Sequence, residues 1–368
     1  MTSSEKQFVA ALRYSLGADS PPEIADWTGV WKLARRHHLE VLTREAAKNQ
    51  PSLPDGLQEQ MESAYHLMVE REICQVHCRE QIEEALSKAG IHYAILKGGI
   101  LRDDYPIPFS RFMSDLDFYI RPEDRSTIRS AIEAAGGVLK GNESGDEQFS
   151  FWDKVGVEFH GRLLYRKHRS GVENYPAWSF VDESRNRLAE EGYALNLLGH
   201  AVHDLAGGGP GIRYILDLWI YRNRHQPQPE WEIVNDRLRQ DGIYTAAQNL
   251  LDLSEYLFGS GEETPLMLEM ADYVLKGGLY GDYGRGLANQ AARGNAVAKQ
   301  VFRNRAEFEN RYPWLKKYPF LLPLAWAIRG FRSLKTNKNA IRRWYRGMAR
   351  INKSDLEMQR ERQARFGL

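Results

Sequence analysis

Along the first ninety residues, apolar positions recur three to four residues apart, which is the spacing of amphipathic helices. Phe8 and Leu12 are one such pair, and Pro21 and Pro51 predict breaks between successive helices. A longer pattern of the same kind predicts one helix over residues 57–89, ended by Gly90. The N-terminal quarter of the chain is therefore predicted to be helical.

The pattern changes at residue 91, where short and continuous apolar runs replace the helical spacing. Such runs, bounded by glycine, are typical of buried strands. The predicted elements are strands at 91–96 and 116–120, a helix at 122–135, and a hairpin of 149–152 with 155–159 that turns at Lys154. This part of the chain is predicted to be a small α/β or α+β module.

Helical patterns return at residues 193–223, where a Gly-Pro cluster at 207–211 interrupts them, and again at 231–258. The end of the chain differs, because residues 310–354 contain twelve arginines and lysines, several aromatic residues and no acidic residue. We therefore predict four regions. They are an N-terminal helical region (1–90), a catalytic module (91–190), a helical domain (191–310) and a basic, aromatic C-terminal arm (311–368).

Composition narrows the class of protein only modestly. Fifty basic against forty-nine acidic side chains give a net charge of +1, so the chain as a whole is not steered toward nucleic acid or anionic membrane. Two cysteines exclude a disulfide scaffold and fit a reducing compartment. The polar and charged start of the sequence predicts no signal peptide, and no apolar run reaches the roughly 18–20 residues that span a bilayer. We expect a cytoplasmic protein without a transmembrane segment.

The first segment with candidate chemistry is a glycine turn. Lys97, Gly98 and Gly99 follow the strand predicted at 91–96. Glycines at a strand-to-helix turn let backbone N–H groups approach phosphate oxygens, and the lysine adds a full positive charge. The simpler alternative is a tight turn with a surface lysine, since glycine is the ordinary turn residue.

The second segment is an Asp-x-Asp pair on the next predicted strand. Asp115 and Asp117 stand two residues apart and therefore point to the same face, where their oxygens can share divalent cations. A solvated strand edge is the alternative interpretation. It is weakened because strands disfavour aspartate, while Leu116 and Phe118 mark this strand as buried on one side.

The third segment lies on the predicted hairpin. Glu158 stands 41 residues after Asp117, and a neighbouring strand could bring it beside the aspartate pair. His160 shares the face of Glu158 by strand periodicity, so it either orients that carboxylate, contacts the substrate or has a structural role. An exposed position on an alternating strand is the alternative for Glu158.

These segments resemble the uncharacterised nucleotidyltransferases of the DNA polymerase β-like superfamily, which carry Leu-Lys-Gly followed by Arg-x-x-Ser-Asp-x-Asp. The matching residues are Leu96-Lys97-Gly98, Arg111 and Ser114-Asp115-Leu116-Asp117. The resemblance implies an α+β fold, in which a Pol-β-like module (a mixed sheet with helices) is flanked by N- and C-terminal helical regions. It also implies that Asp115 and Asp117 form the metal-binding pair and that Glu158 is the third carboxylate.

We therefore predict a nucleotidyltransferase that uses Mg²⁺ or Mn²⁺ to move a nucleotide from an NTP, with ATP expected, to a hydroxyl acceptor. The acceptor is a protein, RNA, sugar or small molecule. The predicted nucleotide-binding residues are Lys97, Gly98, Gly99, Arg111 and Ser114. One alternative is an inactive nucleotide- or RNA-binding protein on the same fold, and another is an interaction or membrane-surface protein that acts through its arm.

Other polar residues have two interpretations each. Arg213 either contacts substrate or pairs with Asp217 one helical turn away. His200 and His203 either hold a metal or pack the helical domain onto the module. The basic arm either contacts RNA or a membrane surface through residues 311–354, or packs against acidic parts of the chain.

Overall fold

The structure is a computed structural model that describes part of the chain. The described residues are 1–18, 20–48, 50, 53–141, 146–168, 171–279, 281–294, 312, 314–336 and 338–368, without the side chains of 333–336, 338 and 340. The predicted break at Pro51 and the predicted boundary between residues 310 and 311 lie outside these ranges.

Helices precede, flank and follow a small sheet. The α-helices are α1 (Ser3–Ser15), α2 (Trp27–His37), α3 (Glu40–Ala47), α4 (Leu57–Lys88), α5 (Gly98–Leu101), α6 (Arg125–Ala134), α7 (Glu190–Ala206), α8 (Ile212–Arg224), α9 (Trp231–Gln240), α10 (Tyr244–Phe258), α11 (Pro265–Gly277), α12 (Tyr283–Ala292), α13 (Trp314–Lys317), α14 (Leu322–Thr336), α15 (Lys338–Met348) and α16 (Lys353–Arg365). Short 3₁₀ turns are formed by Arg102–Asp104, Pro108–Ser110, Pro122–Asp124, Trp178–Phe180 and Pro319–Leu321.

The central sheet is mixed and has the strand order β1-β2-β5-β4-β3. Its strands are β1 (Tyr93–Ile95), β2 (Asp115–Ile120), β3 (Val138–Gly141), β4 (Glu147–Phe151) and β5 (Val155–His160). Only the pairing of β2 with β5 is parallel, and the other three pairings are antiparallel. Two further hairpins follow, β6 (Leu164–His168) with β7 (Gly171–Tyr175), and β8 (Val181–Asp182) with β9 (Arg187–Leu188). The predicted α+β fold is confirmed.

Alternation along the strands separates the two faces of the sheet. Leu116 and Phe118 of β2 join Val157 and Phe159 of β5 in an apolar core, which α4 and α6 cover. The intervening residues of both strands therefore point to the opposite face, where the three predicted carboxylates lie. Burial of one face thus fixes the direction of the acidic side chains on the other.

The opposite face of the sheet meets a larger helical core. This core contains residues of the N-terminal helices, such as Phe8 and Trp31, together with residues of α7, α8, α10 and α11. Tyr119 of β2 belongs to this helical core as well, so the core extends to the sheet. The division into four regions stays a prediction. The structure shows that the N-terminal helical region and the helical domain pack together.

The helical prediction for 231–258 is confirmed. The structure has two helices there, α9 and α10, because Gly242 takes a φ of +70° and ends the first. The predicted interruption at 207–211 is confirmed by the gap between α7 and α8. Among the described residues, no helix is both long enough and apolar enough to cross a membrane.

Candidate active site

Parallel pairing of β2 with β5 places the predicted carboxylates side by side. In this register Asp117 stands opposite Glu158, and Asp115 stands opposite Gly156. A Cβ atom added to Gly156 would lie 3.5 Å from the Cβ atom of Asp115, which is an ordinary contact distance. The two strands thus bring together acidic residues that lie 41 positions apart in the sequence.

Among the described residues, one group has the spacing of metal ligands. Asp117, Glu158 and His160 each offer a ligand atom, and these atoms lie within 4.8 Å of one another. The group shares Asp117 and Glu158 with the predicted triad and contains His160 where the prediction has Asp115. Asp115 still interacts electrostatically with Asp117 and Glu158.

Two cationic side chains converge on one oxygen of Asp117. Lys97 Nζ donates to Asp117 Oδ1 at 2.8 Å, and His160 Nε2 donates to the same oxygen at 2.6 Å. Burial disfavours the charge of Asp117, but Lys97 and His160 outweigh burial and hold its pKa well below the ordinary value. Asp117 is therefore ionised over the whole physiological range.

His160 is held between two carboxylates. Its Nε2 faces Asp117, and its Nδ1 lies 3.4 Å from Asp146 Oδ2. Burial disfavours the imidazolium form, but the hydrogen bonds to Asp117 and Asp146 outweigh burial and raise the pKa of His160 to about 9. His160 therefore carries a positive charge at neutral pH, which balances part of the acidic cluster.

The pKa values of Asp115 and Glu158 shift upward, in the opposite direction to that of Asp117. Burial and the neighbouring charge of Asp117 raise the pKa of Asp115, although Ser114 Oγ donates to Asp115 Oδ1 at 2.8 Å. Burial and the charge of Asp115 raise the pKa of Glu158. Gln148 Nε2 donates to Glu158 Oε1 at 2.7 Å and fixes one of its two oxygens. Repulsion among these carboxylates is the electrostatic condition that a divalent cation relieves.

The glycine turn lies against this cluster. Lys97 adopts φ +49° and ψ −123°, an unusual conformation for a non-glycine residue, and directs its ammonium group to Asp117. The backbone N–H of Gly99 donates to the carbonyl oxygen of Leu96 at 3.1 Å. Of the two predicted glycine amides, that of Gly99 is therefore already used within the turn.

Close packing explains why both positions are glycine. A Cβ atom at Gly98 would lie 2.9 Å from Met113, and one at Gly99 would lie 2.5 Å from Ile95. The turn is also held from behind, since Tyr193 Oη donates to the carbonyl oxygen of Lys97 at 2.7 Å. The turn is thus fixed in place independently of any phosphate contact.

Arg111 has a partner that its sequence position did not indicate. Its Nε and Nη2 atoms donate to the two carboxylate oxygens of Asp217, each at 2.7 Å, and both side chains are buried. Tyr105 Oη donates to the same carboxylate at 2.6 Å. The partner of Asp217 is thus Arg111, whereas Arg213 donates to the carbonyl oxygen of Phe112. A phosphate contact by Arg111 or Arg213 stays a prediction.

Sequence reasoning missed Asp146 and Gln148, which hold His160 and Glu158. The hairpin register could have identified Gln148, because antiparallel pairing of β4 with β5 sets it opposite Glu158. The interpretation in which His200 packs the helical domain onto the module agrees with the structure, where its ring lies edge-on to Tyr165 of β6 at a centroid distance of 5.9 Å. Burial lowers the pKa of His200 to about 4, so the ring is neutral.

Acidic residues on paired strands of a small mixed sheet, beside a glycine turn with a lysine, are typical of nucleotidyltransferases. The chain belongs to the family of uncharacterised nucleotidyltransferases, whose sequence profile matches residues 23–259. This match confirms the resemblance given by the motifs, and it confirms the prediction that the chain is a nucleotidyltransferase. No curated protein and no solved structure gives a significant match to the chain.

Proposed function

We propose that the chain transfers the nucleotide of an NTP, with ATP favoured, to a hydroxyl acceptor and releases pyrophosphate. The observation that carries this proposal is the parallel register in which Asp117 stands opposite Glu158, next to the Lys97 turn. Transfer of this kind needs a phosphate-binding region and acidic residues near the reacting oxygens. The acidic residues share one face of this sheet, and the ammonium group of Lys97 lies against them, which supports the proposal.

The donor atoms of the site fit a divalent cation. Asp115, Asp117 and Glu158 offer hard carboxylate oxygens, which suit Mg²⁺ and Mn²⁺. His160 adds a nitrogen ligand only after it loses its proton. Because Lys97 and His160 both share Asp117 Oδ1, a cation on this carboxylate competes with them or uses the second oxygen. When bound, such a cation supplies positive charge to the triphosphate and makes an acceptor hydroxyl more acidic.

Particular side chains have distinct roles in this proposal. Lys97 and the amide of Gly98 bind triphosphate oxygens, and Ser114 orients the carboxylate of Asp115. Glu158, whose Oε1 is held by Gln148, accepts the acceptor's proton at Oε2, and its raised pKa suits this task. Asp146 keeps the His160 ring in place. Contacts of Arg111, Gly99 and Arg213 with substrate are further predictions.

The test measures label transfer and pyrophosphate release with α-labelled NTPs and Mg²⁺ or Mn²⁺. The acceptor panel contains protein hydroxyls, RNA, sugars and small alcohols. We expect Asp117→Asn and Glu158→Gln to lower the rate on the order of 100-fold or more. Asp153→Asn is the matched control, since Asp153 is 85% exposed at the hairpin turn. Equal rates in all four proteins would remove the proposed mechanism.

One observation favours a second candidate, an inactive nucleotide- or RNA-binding protein on the same fold. Asp117 already has two cationic partners, Lys97 and His160, so its charge is balanced within the chain. This candidate predicts nucleotide binding that chelators leave unchanged, with no pyrophosphate released over the same acceptor panel. Chelator-sensitive binding and turnover support the enzyme instead. A cytoplasmic location stays a prediction.

A further inference from the structure

One face of helix α14 is apolar and exposed. Phe320, Leu324 and Phe331 are 73%, 50% and 80% exposed, and Ala327 is exposed between them. Their spacing of four, three and four residues places them on one side of the helix and the turn before it. The opposite side already packs, because Ala325 lies in a small cluster with Leu315. Among the described residues, nothing covers the exposed face.

A second observation concerns the next helix. Arg342, Arg343, Arg346 and Arg350 line a groove of about 630 Å³ between α12 and α15, together with Tyr283. Within the described part of the chain, no carboxylate pairs with any of these four arginines. The arginines of α16 differ, since Arg362 and Arg365 both bind Glu269. Among the described residues, pairing with a carboxylate is therefore seen for α16 and not for these four arginines.

An exposed apolar helix face, followed in the chain by arginines that no described carboxylate pairs with, has two candidate partners. Single-stranded RNA satisfies arginines and stacks on exposed aromatic rings, but it gives no partner for an aliphatic side chain such as Leu324. An anionic bilayer satisfies both features, because its phosphate groups attract arginine and its acyl boundary accepts leucine and phenylalanine. The bilayer accounts for more of what this surface presents.

We propose that α14 and α15 dock the protein on an anionic membrane surface. The exposed face of α14 enters the boundary between headgroups and acyl chains, and the α15 arginines bind lipid phosphates. Since no described helix is both long enough and apolar enough to cross a bilayer, the arm lies on the surface. This inference does not depend on the nucleotide chemistry proposed for the sheet.

The experiment measures co-sedimentation of the full chain with phosphatidylcholine vesicles, with and without phosphatidylserine. We expect binding that requires phosphatidylserine and weakens as salt is raised. Arg342→Gln/Arg346→Gln should lower the partition coefficient roughly 25-fold, at about fivefold per arginine. Phe320→Ser/Phe331→Ser should lower it by a similar factor without changing its salt dependence.

Matched controls test whether losing an arginine or an apolar side chain elsewhere on the surface also lowers vesicle binding. Arg222→Gln removes an exposed arginine from α8, and Ile233→Ser removes a 48% exposed apolar side chain from α9. Both should bind vesicles as the unchanged protein does, and thermal melting shows that every variant folds. Binding that ignores phosphatidylserine, or that the four arm substitutions leave unchanged, overturns the proposal. The proposal is also overturned if neither the unchanged protein nor any variant binds vesicles, while the arginine variant loses binding to single-stranded RNA.

Discussion

At the scale of single residues, the acidic cluster is built from charges in unequal surroundings. Asp117 receives hydrogen bonds from Lys97 and His160, whereas Asp115 receives one from neutral Ser114. Two carboxylates on the same face of one strand therefore differ in the cost of their charge. Asp117 is stabilised as an anion within the chain, and Asp115 depends more on an external cation.

This difference predicts that Asp115→Asn stabilises the metal-free protein. Burial and Asp117 raise the pKa of Asp115, so the folded chain holds this proton more tightly than the unfolded chain, and stability falls as pH rises above the ordinary aspartate range. The amide removes this cost and should raise Tm at neutral pH by roughly 1–3 °C. Calorimetry in a chelator measures this.

In Mg²⁺ the same variant should show a smaller rise in Tm than the unchanged chain, because one oxygen ligand is lost. Ser114→Ala provides a control that keeps the carboxylate and removes its hydrogen bond. A lower Tm for Asp115→Asn in chelator would contradict the proposed repulsion.

Lys97 should matter more for nucleotide binding than a surface lysine does. Its side chain is 18% exposed and its ammonium group lies against Asp117, so Lys97→Met removes one of the two cations that contact this carboxylate. We expect NTP affinity to fall about tenfold or more, which corresponds to about 1.4 kcal/mol. Titration calorimetry compares it with Lys88→Met, where the lysine is 74% exposed. Equal NTP affinities of Lys97→Met and Lys88→Met would show that Lys97 has only a structural role.

At the scale of elements, buried polar contacts tie distant helices together. His37 at the end of α2 donates through Nε2 to the carbonyl oxygen of Leu275 in α11, at 3.1 Å. Arg111 and Asp217 connect the loop before β2 with α8. Each contact joins segments more than one hundred residues apart, and each can be tested by its effect on stability.

The His37 contact predicts a loss of stability in mild acid. Burial lowers the pKa of His37 to about 4, compared with 6.5 for exposed histidine, so the unfolded chain binds this proton more readily. The free energy of unfolding therefore decreases as pH falls from 6.5 toward 4. At pH 5, His37→Gln should avoid about 2 kcal/mol of this loss.

Denaturant unfolding at pH 7 and pH 5 measures the effect of His37→Gln. His66→Gln is the control, because His66 is exposed on α4. Identical pH dependence in the unchanged chain and His37→Gln would show that His37 is not the group responsible.

Breaking the buried ion pair of Arg111 with Asp217 should lower the free energy of unfolding strongly. Asp217→Asn leaves the buried guanidinium without its counterion and should cost about 3–5 kcal/mol. Arg111→Met/Asp217→Leu removes both charges and should recover part of that loss. Denaturant unfolding of the three proteins tests this. A cost below about 1 kcal/mol for Asp217→Asn would mean that water reaches the pair.

The spacing of apolar residues predicted most helices and strands, because each element buries one side and so repeats apolar residues at its own period. Period-two alternation predicted the common face of Asp115 and Asp117, and the parallel pairing of β2 with β5 brings Glu158 beside Asp117. The pairing of Arg111 with Asp217 could not be predicted, because a buried ion pair across 106 positions has no local pattern. The backbone conformation of Lys97 was equally hidden, since lysine rarely adopts positive φ.

At the scale of the whole molecule, the arm is joined to the main core by its last turn. Phe366 is 2% exposed, lies in the large helical core and packs edge-on against Tyr273 of α11. Glu269 of α11 also binds Arg362 and Arg365. Removing residues 311–368 would therefore open the core as well as remove the basic surface, and point substitutions separate the two effects.

Phe366→Ala should lower the stability of the helical core by about 3–5 kcal/mol. Phe331→Ala is its matched control, since that ring is 80% exposed, and it should change stability by about 0.5 kcal/mol or less. Calorimetric scans of both variants measure this. Equal Tm values would show that the last turn contributes nothing to the core.

The parallel register of β2 with β5 has a consequence for changes in chain length. Adding one residue inside β5 before Glu158 would turn that carboxylate into the apolar core and bring an apolar neighbour to the acidic face. Added residues at the tip of the hairpin, around the exposed Asp153, leave the pairing untouched. Homologues should therefore vary in length at that tip and keep the distance from the tip to the glutamate constant.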